Sequence, residues 1–300
     1  MKFGFIGLGE MGRPMAINLA KTGNDVYMCD RREEIVNNLI KQDYQACSDF
    51  EILNDVEMLF LCLPDGSVVE NILLSTDGLL TKLKKCQVIV DFTTMDYEMA
   101  QYLFERCRGN DIGYVDAPIT GMEEKAINGT LTIMCGGSKK TIEKVKPYLE
   151  SMGKDILFMG KSGSGQLSKM INNVLFDINC AAISEVLPLA VYLGLDAESI
   201  TEIINNGTGR SYASEFFLPR ALKANYYDGY PMEKAYKDLI MATKITVKHN
   251  LPVPMLDAMM NIYKAALIKG FGTESKGAMI KVFEDLFGIE CRNEKAGRIK

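Results

Sequence analysis

The chain opens on a largely apolar run, KFGFIG (2–7), and five more runs of the same kind follow: DVYMCD (25–30), MLFLCLP (58–64), QVIVDFT (87–93), GYVDAP (113–118) and TLTIMCGG (130–137). A strand covered on one face alternates apolar with polar residues, whereas a strand covered on both faces is apolar throughout. Between the runs lie stretches with apolar residues at helical spacing, such as MGRPMAINLAKTG and REEIVNNLIKQ. Strands that alternate with helices predict an α/β fold with a doubly wound parallel sheet. Near residue 160 the pattern changes. From 165 onward only helical periodicity is found, broken by GLDAES, NNGTGR, NYYDGYP and HNLPVP. The expected organisation is a sheet domain over 1–161 and an all-helical domain over 162–300. The longest expected helix, about 166–193, begins the second domain, and Pro188 is where it would kink.

The 300 residues suffice for one large or two ordinary domains. Hydrophobic residues make up 47% and charged residues 24%, the balance of a soluble globular protein. A net charge of −5 argues against nucleic acid, whose phosphates call for a basic face. No apolar run is expected to reach the ~18 residues of a membrane span. The start MKFGFIGLGEMG has the glycines of a first strand and turn and not the pattern of a signal peptide. A cytoplasmic protein with neither membrane nor nucleic acid as partner is expected. The eight cysteines, at 29, 47, 62, 86, 107, 135, 180 and 291, include no Cys-x-x-Cys pair, so they read as buried reduced thiols. With one histidine, His249, a site of several histidines is excluded, and no metal site is expected. His249, beside a proline-broken loop, reads as structural.

FIGLGEMG places Gly7, Gly9 and Gly12 directly after the first strand and at the opening of a helix. This spacing is weak evidence alone. Its context strengthens it, because Asp30 ends the second strand 18 residues beyond Gly12, close to the ~20 of dinucleotide-binding folds. Gly7 would permit the turn, Gly9 would let the backbone approach a pyrophosphate, and Gly12 would let helix and strand pack closely. The turn Gly7, Leu8, Gly9, Glu10, Met11, Gly12 is thus the expected pyrophosphate cradle, at a helix N-terminus that favours negative charge. Asp30 would bond the adenosine ribose and repel a 2′-phosphate. Arg31 and Arg32 pull the other way, since a guanidinium binds that phosphate. NAD is the expected cofactor, with NADP as the alternative.

Six separated segments together resemble the β-hydroxyacid dehydrogenase family, the group that contains 3-hydroxyisobutyrate dehydrogenase. They are GFIGLGEMGRPMAINLAKTG (4–23), LPDGSVVE (63–70), VDFTT (90–94), DAPITGMEEKAINGTLTIMCGG (116–137), GSGQLSKMINN (163–173) and KDLIMATK (237–244). GRSYASE and IKVFEDLFGIE are also similar to the 2-(hydroxymethyl)glutarate dehydrogenase branch. The resemblance implies an N-terminal Rossmann domain, a C-terminal helical domain, an active site between them, and a homodimer or homotetramer. It implies Lys169 as the catalytic residue, Asn173 as a substrate-orienting amide, and Thr120, Gly121 and Met122 as the loop that receives a substrate carboxylate. It further implies cofactor contacts from Leu63, Pro64 and Thr94 and from Lys237 in the second domain. The chain departs from the family at two places. Thr120, Gly121 and Met122 stand where the family usually reads Ser-Gly-Gly, and Met95 follows Thr94 where a proline is frequent.

Lys169 and Asn173 are four residues apart, so a helix presents them on one face. Gly165, four before Lys169, leaves that face bare of side chain and open to a ligand on this reading. A carbonyl that accepts hydride needs a proton on oxygen, which a lysine ammonium can give; in reverse the amine takes the hydroxyl proton. A lysine snorkelling from an amphipathic helix is the competing reading of the spacing alone. Tyr230 and Lys234 have the Tyr-x-x-x-Lys spacing of another dehydrogenase class, but Pro231 between them predicts entry into a helix rather than one helix carrying both. Asp177 and Glu185 read as packing or solvent partners. The expected activity is hydride transfer between the cofactor and a small 3-hydroxy acid or its semialdehyde. A 6-phosphogluconate-type or imine-type reductase, or a catalytically silent cofactor-binding protein, are the alternatives.

Overall fold

The structure, a computed structural model, describes residues 1–292. The apolar runs become β1 (Lys2–Ile6), β2 (Asp25–Cys29), β4 (Met58–Leu61), β5 (Val88–Asp91), β6 (Gly113–Asp116) and β8 (Leu131–Gly136). The helices between and after them are α1 (Gly12–Ala20), α2 (Glu33–Ile40), α3 (Gly66–Leu74), α4 (Tyr97–Arg108), α5 (Met122–Ile127) and α6 (Lys139–Leu149). Three strands were not expected: β3 (Ala46–Cys47), β7 (Ile119–Thr120) and β9 (Gly153–Gly160). Two are only two residues long. The third, β9, pairs only with β8 and shows Leu157 and Phe158 to solvent, so it lacks the two-sided burial that marks the other strands.

Among the described residues the sheet has nine strands in the order β3-β2-β1-β4-β5-β6-β8-β7, with β9 on β8. It is parallel from β3 to β6, and β8 then runs antiparallel to both β6 and β7. The pairings Asp116–Gly136, Ile119–Ile133 and Thr120–Thr132 show that β7 continues the line of β6 along β8. The doubly wound parallel sheet is thus present, with an antiparallel edge at β8 that the sequence reading did not include. Side chains leave the sheet alternately to two cores. On one face Phe5, Phe60 and Phe92 lie side by side with ring centroids 6.2 and 6.3 Å apart. Ile6, Leu59, Leu61 and Ile89 fill the other.

The chain divides into two compact units, Met1–Lys169 and a second that begins at Met170. The second unit is helical: the rest of α7 (Ser164–Tyr192), then α8 (Ala197–Asn206), α9 (Tyr212–Ala221), α10 (Met232–Lys248), α11 (Pro254–Ile268) and α12 (Ile280–Phe287). α7 runs unbroken through Pro188 for 29 residues. By length and composition alone it is apolar enough to cross a bilayer, with mean hydropathy 1.7 over its best window, of which 44% is buried inside the protein. The expectation that no run reaches that length therefore fails for α7. Asp177 on α7 is a packing partner inside the helical unit and not a solvent one. It is 1% exposed, accepts a 2.7 Å hydrogen bond from the Tyr263 hydroxyl, and is ion-paired with the buried Lys276, whose ammonium lies 4.4 Å over the Phe176 ring.

Candidate active site

The turn between β1 and α1 is built by sterics. Gly7 has φ +98°, and a Cβ there would sit 2.2 Å from the Cys62 carbonyl oxygen; a Cβ at Gly12 would sit 1.9 Å from the Gly7 oxygen. Those two positions exclude side chains. Gly9 differs: its nearest neighbour would be Arg32 Nη2 at 3.9 Å, so its Cα faces open space. Leu8 is buried, while Glu10 is exposed and Met11 half-buried at the helix entry. The turn is tied to the end of β2 by the Leu8 N–H, which donates to Asp30 Oδ2 at 2.8 Å.

Asp30 is 5% exposed. Arg32 grips it with a fork, Nε to Oδ1 and Nη2 to Oδ2 at 2.8 Å each, and its backbone N–H adds a third bond at 3.0 Å. Burial pushes the Asp30 carboxyl up, but the Arg32 and Leu8 hydrogen bonds outweigh it and hold the group down at about 2. Arg32, not the exposed Arg31, is thus the arginine engaged at this corner. Immediately before it, Cys29 lies opposite Cys47 on the adjacent strand with their sulfurs 3.1 Å apart. Eight isolated thiols were expected, and the fold brings two of them together across 18 residues.

The other expected site residues follow strand ends. Leu63 and Pro64 come after β4, half-buried and exposed respectively, and the Leu63 N–H donates to Thr93 Oγ1 at 3.0 Å. Thr94, half-buried, lies just beyond β5. Thr120 ends β7 rather than lying in a loop. Gly121 and Met122 both have positive φ, +139° and +62°, and Met122 is 42% exposed at the start of α5. A left-handed backbone at a methionine is rare and strained. It falls at the position where the resemblance to the family leads one to expect glycine, the residue that takes this φ without strain. Lys169 and Asn173 are half-buried on consecutive turns of α7, while Asn172 is exposed. Lys237 is exposed on α10. Pro231 caps α10, so Tyr230 lies outside the helix that carries Lys234.

Gly165 does not open the Lys169 face to a ligand. A Cβ there would lie 2.4 Å from the Met134 oxygen and 2.6 Å from that of Asp116. The glycine lets the start of α7 press onto the backbone of β6 and β8.

Two family models cover nearly the whole chain: one for the NAD-binding domain of 6-phosphogluconate dehydrogenase over residues 2–160, and one described as NAD-binding of NADP-dependent 3-hydroxyisobutyrate dehydrogenase over 163–283. The 2-(hydroxymethyl)glutarate dehydrogenase of Eubacterium barkeri is 37% identical over 291 residues, 96% of this chain and 97% of that one. The chain belongs to the β-hydroxyacid dehydrogenase family. The 3-hydroxyisobutyrate dehydrogenase of Pseudomonas aeruginosa is 33% identical, with 79% of this chain and 83% of that one aligned. A Mycobacterium tuberculosis 3-hydroxyisobutyrate dehydrogenase solved with L-serine superposes with TM-score 0.84 at 26% identity, covering 93% of this chain and 98% of that one. This β-hydroxyacid dehydrogenase is an NAD(P)-dependent oxidoreductase whose chemistry is hydride transfer on a hydroxy acid.

Sequence reasoning passed over three buried polar residues of this dehydrogenase beside the expected site, Asp91, Asp116 and Gln166. Asp91 and Asp116 end β5 and β6 in register, both fully buried. Asp91 accepts from the Thr93 N–H at 2.9 Å and the Tyr114 hydroxyl at 2.9 Å. Asp116 accepts from the Gly163 N–H at 2.7 Å and the Gln166 N–H at 3.2 Å. The Gln166 side chain donates to the Thr93 carbonyl at 2.7 Å and accepts from the Met95 N–H at 3.1 Å. Burial pushes each carboxyl up to about 6 against these hydrogen bonds. One signal was available: each aspartate ends a run whose other members are apolar, where a charge needs partners.

Proposed function

We propose that this enzyme transfers a hydride between a nicotinamide cofactor, NAD in preference to NADP, and a small 3-hydroxy acid or its semialdehyde, with Lys169 as general acid and base. The observation that carries the reading is the placement of Lys169. It is half-buried on the helix whose first turn is seated on the carboxyl ends of β5 and β6, the edge of a parallel sheet where such folds bind ligands. When bound, the cofactor supplies the hydride acceptor. In the oxidation direction the Lys169 amine takes the hydroxyl proton as the hydride leaves carbon, and in reduction its ammonium returns that proton. Asn173, one turn on, orients the same oxygen.

The turn over Gly7–Gly12 cradles the pyrophosphate, with Gly9 as the point of closest approach. Asp30 receives the ribose, and Leu63, Pro64 and Thr94 line the nicotinamide half. Thr120, Gly121 and Met122 receive the substrate carboxylate. Glu123 and Glu124 in the first turn of α5 oppose that charge, so the Thr120 hydroxyl and backbone N–H groups have to outweigh them. The 37% identical relative makes 2-(hydroxymethyl)glutarate, itself a 3-hydroxy acid, the first substrate to try.

The test is Lys169→Ala, followed by NADH absorbance with 2-(hydroxymethyl)glutarate, 3-hydroxyisobutyrate and their neutral analogues. Turnover should fall by ~10²–10⁴, the usual contribution of a positioned acid–base group, with NADH binding unchanged. An alanine variant with near-normal turnover removes Lys169 from the reaction. Equal rates on acids and neutral analogues remove the carboxylate reading.

A further inference from the structure

We infer that Asp116 and Gln166 are positioning residues that fix Lys169 against the cofactor-side loop after β5. This inference rests on the assignment of Lys169 as the proton-transfer group. Asp116 ends β6, and its carboxylate receives the N–H groups of Gly163 and Gln166, with Gly165 N–H also turned toward it. These are the donors that the first turn of a helix leaves without partners, and a buried carboxylate satisfies several at once. The bonds are specific in geometry because the surroundings admit nothing else. A Cβ at Gly136 would lie 2.6 Å from both Asp116 oxygens, and one at Gly163 2.5 Å from the Tyr97 ring. Gly163 also needs its φ of +87° to turn its N–H inward.

Gln166 extends the clamp sideways. Its amide donates to the Thr93 carbonyl and accepts from the Met95 N–H, so it holds both sides of Thr94. Thr93 in turn receives the Leu63 N–H on its hydroxyl. The residues assigned to the nicotinamide half, Leu63 and Thr94, are therefore linked to the first turn of α7 by three hydrogen bonds through the buried Thr93 and Gln166. Lys169 is three residues beyond Gln166, on the next turn of the same helix. A displacement of that turn moves Lys169 and Thr94 relative to each other. A misplacement of about 1 Å at a reacting group costs about 10²-fold in rate.

This arrangement differs from a general stabilising network in what it should leave alone. The pyrophosphate turn and Asp30 hang on β1 and β2, and the Leu8 N–H holds Asp30 rather than Asp116 or Gln166. Asp116→Asn keeps the size but places an amide against N–H donors. It should lower kcat 10- to 100-fold while the NADH dissociation constant, read by cofactor fluorescence, and the KM for the hydroxy acid stay within about twofold and threefold. Combined with Lys169→Ala, the same change should alter the residual rate by less than twofold, because there is no longer a lysine to place. Gln166→Leu should show the same split more weakly, and it decides the matter if Asp116→Asn does not fold.

A folded variant whose kcat stays within twofold overturns the inference. So does a fall of equal size with and without Lys169, which would mark a merely structural effect. If Lys169→Ala alone retained turnover, the failure would belong to the lysine assignment and not to the clamp.

Discussion

Two fully buried carboxylates at adjacent strand ends should leave a mark on stability that is measurable without any substrate. Asp91 is driven from an ordinary value of 3.8 to about 6 by burial, despite the hydrogen bonds from Thr93 and Tyr114, and the nearby Asp116 charge adds to the rise. A group whose carboxyl is raised by folding favours the folded state when protonated. Its contribution is complete below about pH 4 and is lost as pH rises through 6. That rise corresponds to ~3 kcal/mol that ionised Asp91 subtracts at neutral pH. Asp116 acts in the same direction over the same window. Asp30 acts oppositely, since its carboxyl is held down at about 2, and its contribution is lost only as pH falls below about 4. Asp91→Asn removes the charge and keeps an oxygen for the Thr93 N–H, while the Tyr114 hydroxyl can turn to accept from the new amide. The variant should be more stable than the natural protein by ~1–3 kcal/mol at pH 7, and the difference should shrink to nothing near pH 4. Urea unfolding followed by far-ultraviolet circular dichroism at pH 4, 5, 6 and 7 gives the comparison, reading only the transition that the substitution moves. A stability difference that is flat across this range would refute the reasoning, whatever its size.

Three further outcomes follow from the site. Asp30→Asn should raise the NADPH-to-NADH ratio of kcat/KM at least tenfold, because the Arg32 guanidinium is then released toward a 2′-phosphate, and Arg32→Ala should move the ratio the other way; an unchanged ratio in both variants removes this corner from cofactor choice. Met122→Gly should raise thermal stability by about 1 kcal/mol, since glycine takes φ +62° without strain, and should reorder kcat/KM among acids of different size; a loss of stability would contradict the strained turn. Mild oxidation with glutathione disulfide should consume the Cys29 and Cys47 thiols as one intramolecular disulfide, which Cys47→Ser prevents; intact mass that shows glutathione adducts instead would contradict the pairing.

The legible parts of this molecule were those where one physical cause leaves one pattern. Strands covered on both faces read as apolar runs, and six of nine were visible for that reason; β9 was not, because Phe158 and Leu157 point to solvent and its burial is one-sided. The glycine turn was legible because Gly7 and Gly12 answer to sterics that no other residue meets. Pairings across the chain were not legible. Nothing in the sequence couples Cys29 to Cys47, Asp177 to Lys276, or Arg32 rather than Arg31 to Asp30, since each depends on register or on where a long side chain can reach.

Gly165 shows how a correct motif can carry a wrong explanation. Read from the sequence, a glycine one turn before a lysine suggests space for a ligand. In the fold that space is filled by the carbonyls of Met134 and Asp116. The glycines at 136, 163 and 165 serve one purpose: they bring a helix start close enough to a strand end for a buried carboxylate to hold it. Burying Asp91 and Asp116 side by side weakens the folded state at neutral pH, and a chain selected for stability alone would replace at least one of them. Their position argues for another constraint. Both lie at the end of the sheet that carries the start of α7, and their partners include the N–H groups of Thr93, Gly163 and Gln166, which lead to Thr94 and Lys169. A neutral side chain could fill the volume. An acceptor with two oxygens satisfies several converging donors at once, so the stability given up there is what the proposed mechanism would require to hold Lys169 and Thr94 in one arrangement.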